Sequence, residues 1–265
     1  MGDILDNNTI KNDNTNNITI SNVIIDESTK LQLISGMPIS VNGVCEVHPL
    51  KISEISELKY ENYQIYLSNM IAEPKDYFSN TDVDYKDISS YDVIVNSFKH
   101  NDDNYKLFIT SVIETFLKES VYFLFDECVF GVGDIKDRRI INNNIFEEIK
   151  RILKLQNCIK DIPEEKKPTY QNERQKDVFE KIMAGRKRRE QENAINFVTI
   201  YNSVVHGNKS FVPYSEVNNL TVYQLYNTYE SIFKIETYQQ NFKMLLAGAK
   251  SEDLDLKHWS QAIKI

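Results

Sequence analysis

Residues Asn218 to Trp259 read NNLTVYQLYNTYESIFKIETYQQNFKMLLAGAKSEDLDLKHW, and the spacing of their apolar side chains sets the expectation for the chain. Leu225, Tyr226, Tyr229, Ile232 and Phe233 recur at steps of three or four, which gathers them on one face of a helix. A second set, Tyr238, Phe242, Leu245 and Leu246, follows a polar break around Lys234 to Thr237. The pattern predicts two short helices folded back on each other. Gly248 stands where a helix C-cap belongs, and a polar loop leads on to His258 and Trp259, the only tryptophan. No charged cluster interrupts the apolar faces. They suit packing, or holding another helix, better than chemistry.

Working back from that stretch, Ala194 to Val205 reads as a helix stopped by His206-Gly207, with a loop over Asn208 to Glu216. Asn172 to Glu192 is a charged helix with a thin apolar stripe at Val178, Phe179, Ile182 and Met183. Asp161 to Tyr170 holds Pro163 and Pro168 around four successive charges, the pattern of a linker. Asn144 is placed to cap a helix running through Gln156, with Phe146, Ile149, Ile152 and Leu153 inward. Val121 to Val132, VYFLFDECVFGV, reads as one buried strand, paired across Gly133-Asp134 with Arg139 to Ile141.

Further upstream, Tyr105 to Leu117 carries the cleanest helical stripe, preceded by a shorter helix from Tyr91 to Phe98 and a break at Asn101 to Asn104. Lys75 to Ser89 reads as a surface loop. A single helix is expected from Ser53 to Ala72, closed by Pro74. Leu31 to Val47 reads as short extended runs, within which Asn42-Gly43 marks a β-hairpin, because a type I′ turn needs positive φ at both central residues. Such a hairpin is marginal alone and must pack on the helical body or extend a neighbour's sheet. Residues 2 to 17 are dominated by Asn and Asp and lack the apolar mass to order themselves, and Ile18 to Ile25 has the weak alternation of an edge strand.

The expected fold class is therefore α+β, predominantly helical. It has an N-terminal β-hairpin, a short buried strand pair with amphipathic helices, and a C-terminal helical bundle. Residues 1–29 are assigned to a tail, 30–162 to an α+β domain, 163–192 to a linker and charged helix, and 193–265 to a C-terminal helical domain.

A chain of 265 residues with 41% hydrophobic and 26% charged residues can bury a core without staples. Three cysteines without a CxxC pair suggest neither a disulfide framework nor a thiolate zinc site. The net charge of −8 argues against general nucleic-acid binding. The local basic run Arg186 to Arg189 sits among Glu180, Glu190 and Glu192, where helical charge pairing is the plainer reading. The four histidines never fall at ligand spacing, Gly131-Val-Gly133 lacks the third glycine of a dinucleotide fingerprint, and no phosphate-cradle motif occurs. Asp126-Glu127-Cys128, read inside the apolar strand, places carboxylates that would raise a thiol pKa rather than activate it. No catalytic residue, cofactor site or metal site is expected. Nor does the sequence carry a secretory signal, or a run of ~18 apolar residues that would enter a membrane.

The order Asn-Leu-Thr-Val-Tyr-Gln-Leu-Tyr at 219–226, then a helix, Leu-Leu-Ala-Gly-Ala-Lys at 245–250 and a closing His-Trp resembles the C-terminal end of tail assembly chaperones from long-tailed phages of Gram-positive bacteria. Gly36 to Val41, GMPISV, and Asn142 to Cys158, NNNIFEEIKRILKLQNC, are similar to the same group. The resemblance implies a non-enzymatic protein of the host bacterial cytoplasm that coats the helical tape measure protein during tail assembly, with the tail tube protein as a further partner. On this reading Tyr223, Tyr226, Tyr229, Phe233, Phe242, Leu245, Leu246 and Trp259 would contact the partner. Each also fits an ordinary core position. The alternative is a structural tail or baseplate component that self-assembles through the hairpin and the helical faces. A third, weaker option is a nucleic-acid-associated regulator using the basic helix.

Overall fold

The computed structural model describes residues 26–78, 85, 87–160, 173–193, 195–207 and 211–262. The expected tail over 2–17, the edge strand over 18–25 and the linker over 161–170 lie outside the described residues. The architecture is α+β and predominantly helical, with one two-stranded and one three-stranded antiparallel sheet among the described residues.

The first described element is a helix, α1 (Glu27–Ser35), where extended runs were expected from Leu31. Its signals are polar and terminal rather than periodic. Asp26 accepts from the Thr29 amide as N-cap, and Gly36 closes the helix in the left-handed region at φ 68°. A Cβ at Gly36 would lie 3.1–3.2 Å from the side chains of Gln224 and Thr221, so glycine here serves both the turn and a close approach.

The hairpin forms as expected. β1 (Ile39–Val41) pairs antiparallel with β2 (Cys45–Val47), and Asn42 and Gly43 both take positive φ, 48° and 71°. It packs on the helical body. Ile39, Val41, Cys45 and Val47 are buried, and the Val47 carbonyl accepts from the buried Gln156 side chain at 2.9 Å.

The single helix expected from Ser53 to Ala72 is two helices, α2 (Ile52–Leu58) and α3 (Tyr60–Ile71), broken at Lys59 with φ 72° and ψ 136°. Apolar spacing continues through the bend, so periodicity alone does not reveal it. Pro74 does not merely close α3. It opens a short helix, α4 (Pro74–Phe78), since proline is tolerated in a first turn. Next come α5 (Ser90–His100), capped by Ser89, and α6 (Asp103–Leu117), capped by Asp102.

Val121 to Val132 is not one strand. It folds as β3 (Val121–Leu124) and β4 (Val129–Val132), joined by a turn at 125–128 that ends on Cys128 at φ 55°. The polar Asp126-Glu127 pair is the turn rather than an interruption in a strand. β4 then pairs with β5 (Arg139–Ile141), as expected.

α7 (Asn143–Gln156) is capped by Asn142 rather than Asn144. It buries Ile145, Phe146, Ile149, Ile152 and Leu153, and touches α3, α5, both strands of the first hairpin and β5. α8 (Glu173–Asn193) is the charged helix, and α9 (Phe197–His206) follows, capped by Asn196. α10 (Tyr214–Asn218) replaces the end of the expected loop.

Thr221 and Gln224 then form a reciprocal capping box that opens α11 (Val222–Leu246). Ile200, Val204, Val205, Val217, Val222 and Leu225 belong to the same buried cluster as Leu33, Ile52 and Ile149. Hydrogen bonds join there too: the Ile52 amide donates to the Leu220 carbonyl at 2.9 Å, and the Gln224 side-chain amide donates to the Ile34 carbonyl at 2.8 Å.

Candidate interaction surface

The two helices expected over 222–246 are one helix of 25 residues. Lys234 to Thr237 contains no glycine or proline, and Lys234 pairs with Glu230 one turn back at 3.5 Å, so nothing there stops the helix. What changes at that point is the face. At about 100° per residue, Val222, Leu225, Tyr226, Tyr229 and Ile232 share one side, whereas Ile235, Tyr238, Phe242, Leu245 and Leu246 lie roughly 140° around the cylinder.

The first face is spent on the core. Val222, Tyr223 and Leu225 are buried, and Tyr226, Tyr229 and Ile232 are half-buried against them. Burial pushes the Tyr223 phenol up to about 12 and raises that of Tyr226 as well. These hydroxyls stay protonated and neutral throughout the physiological range. Cys158, facing the same region from the end of α7, is likewise pushed up to about 12 by burial. A thiol held that far up is a poor nucleophile at neutral pH.

The second face is only partly covered. A 3-10 turn (Ser251–Asp253) and the short helix α12 (Trp259–Ala262) fold back along one flank. There the Asn241 side chain donates to the Asp255 carbonyl at 3.0 Å, and the rings of Tyr238 and His258 sit 5.3 Å apart. His258 in turn contacts the Trp259 ring at 5.3 Å. The opposite flank is open: Phe242 is 47% exposed and Leu246 74%.

The eight residues nominated from the sequence therefore divide. Tyr223 is core, and Tyr226 and Tyr229 pack on the core. Phe233, 60% exposed, lies on the other side of the helix from Phe242. Phe242, Leu245 and Leu246 come together, with Trp259 half-buried beside the flank that α12 covers. Ile235 and Tyr238 belong to this face, and Ile235 was missed. Carrying the helical period unbroken through Lys234 to Thr237 would have found it.

The remaining chemical candidates fall in structural places. His48 follows β2, His100 and His206 end α5 and α9, and His258 precedes α12. Cys128 sits in the β3–β4 turn, not in a strand, where its sulfur accepts from Lys99 Nζ at 3.2 Å. Among the described residues no group of three or more His, Cys, Asp or Glu side chains is placed to hold a metal, and no helix is long and apolar enough to cross a membrane.

The fold and this surface define an α+β protein whose C-terminal helices offer a half-open apolar helix face. That part of the chain has a known likeness: residues 187–264 match the family model described as the YomV second domain, a phage-derived family, with YomV coming from a Bacillus prophage. The matched segment spans the end of α8 through α12, and its likeness is consistent with a protein of a Gram-positive prophage. No curated protein and no solved structure matches the chain.

Proposed function

We propose that this is a non-enzymatic tail assembly chaperone that holds a helical segment of a phage tape measure protein in the host cytoplasm before the tail tube closes around it. One observation carries the reading: within the segment that resembles a phage-derived domain, the distal half of α11 leaves an apolar helix face open beside a short covering helix. A groove of this kind accepts an amphipathic helix through anchors at i, i+3, i+4 and i+7 and makes weak sequence demands. A tape measure protein, long and helical, supplies many such segments.

The alternative, a particle component that self-assembles through the first hairpin, draws less support. The hairpin's inward side chains are buried, and the carbonyls of Val44 and Val47 already accept from Arg139 and Gln156.

The test is co-purification of the tagged chain with the tape measure protein expressed from the same gene neighbourhood, wild type against Phe242→Asp/Leu246→Asp. Both side chains are solvent-exposed, so helicity should be unchanged while co-purification falls at least tenfold. Retention of the tape measure protein by the double variant, or recovery of the chain in finished particles, would overturn the reading.

A further inference from the structure

The open flank of distal α11 is self-complementary. Ile235, Gln239, Phe242 and Leu246 recur at steps of four, three and four, a spacing that reads the same from either end. Two such helices laid antiparallel about a two-fold axis set Ile235 against Leu246 of a second copy and Gln239 against its Phe242.

The charges agree with that register. Glu236 and Lys243 are exposed, lie two turns apart along one edge of this stripe, roughly 70–90° around the helix from its centre, and have no salt-bridge partner among the described residues, whereas their neighbours Lys234 and Lys250 pair with Glu230 and Glu252. In the antiparallel pair Glu236 falls within two residues of the second copy's Lys243, about 3 Å along the axis. The symmetry repeats that contact, giving two reciprocal ion pairs. The other flank cannot serve, because Asn241 and Tyr238 are engaged by the Asp255 carbonyl and His258.

We infer that the free protein pairs with a second copy of itself through this face, two α11 helices antiparallel around Phe242. A contact over 235–246 is about 17 Å long and stays below the ~1,200 Å² typical of stable complexes, so the dimer exchanges readily. Its role rests on the chaperone reading: pairing covers the side chains that would hold the partner helix, so dimer and partner compete, and the apolar face is not left bare beforehand.

The measurement is sedimentation velocity of the full chain over a micromolar concentration series. Wild type should pass from monomer to dimer. Glu236→Lys places like charges opposite each other twice and should raise the dimer dissociation constant about tenfold, and adding Lys243→Glu should restore it to within about threefold. Leu246→Asp, at an exposed position, should remain monomeric with unchanged circular dichroism. A wild-type monomer at every concentration would overturn the inference, as would a dimer indifferent to all three changes. The two proposals fail separately. A charge-sensitive dimer that never binds a tape measure fragment leaves this inference standing without the chaperone reading. Fragment binding by a chain that stays monomeric does the reverse.

Discussion

Among the described residues Lys150 is the one charged residue that is buried, and its surroundings explain how that is tolerated. Its ammonium donates to Ser90 Oγ at 2.7 Å and meets Glu73 Oε2 at 2.9 Å and Glu147 at 3.5 Å, while the other Glu73 oxygen takes Lys154 at 3.0 Å. A buried ammonium without such partners would be strongly destabilising. Partial burial pushes the Glu73 carboxyl up, but hydrogen bonds from Lys150 and Lys154 outweigh that and hold it below the ordinary value of 4.5. A carboxylate lowered by folding contributes stability that is fully present above its unfolded pKa and is lost as pH falls through the folded one. Glu54, where partial burial is outweighed by Lys118, and Glu148, held down by Arg151, act with the same sign. The urea midpoint should therefore be flat near neutral pH and drop on acidification below about 4.5. In Glu73→Gln the neutral midpoint should be lower and the acid slope shallower. An unchanged slope would mean that the Glu73 contacts are absent in solution.

At the scale of elements, the informative departure is the bend at Lys59. A non-glycine residue at φ 72° and ψ 136° occupies backbone space that only glycine enters freely, and it persists because α2 and α3 are each anchored, by Ile52 and Ile55 on one side and Tyr63, Leu67 and Met70 on the other. Lys59→Gly removes the Cβ clash but loosens the unfolded chain. The first effect is the larger here, so the variant should be more stable by about 1 kcal/mol, read as a raised Tm. A drop in Tm would show that the bend carries no strain.

The same element scale explains what the sequence disclosed. Helices with an unbroken apolar stripe and a side-chain cap, α5, α6 and α7, were legible, as were the Asn42-Gly43 turn and the β4–β5 pairing. Bends that leave the stripe intact, as at Lys59, were not, and neither was the turn at 125–128, whose flanking strands are both apolar. On α11 the error ran the other way, because a shift of the apolar face looked like the end of a helix. The candidate surface was thus legible in composition but not in geometry. Phe242, Leu245 and Leu246 stand together, while Tyr223 is in the core and Tyr226 and Tyr229 pack half-buried against it.

Across the whole molecule, the beginning of α11 ties its C-terminal helices to everything before them. Leu225 has no exposed surface and belongs to one buried cluster with Leu33 of α1, Ile52 of α2, Ile149 of α7 and Val204 of α9. Because these residues come from both ends of the chain, the segment that resembles the phage-derived domain is packed as part of a shared core, with its distal half left to carry the open face. Truncating Leu225 to Ala leaves a cavity at that junction and should destabilise the fold by about 2–5 kcal/mol. The diagnostic quantity is where the loss appears. If the core is shared, hydrogen exchange should quicken together in α7 and α9, and far-UV circular dichroism should show one transition displaced to lower urea. If exchange quickens in α9 and α11 while α7 keeps its protection, the C-terminal helices form a separate cooperative unit, and the Leu225 contacts with the earlier helices do not couple the two.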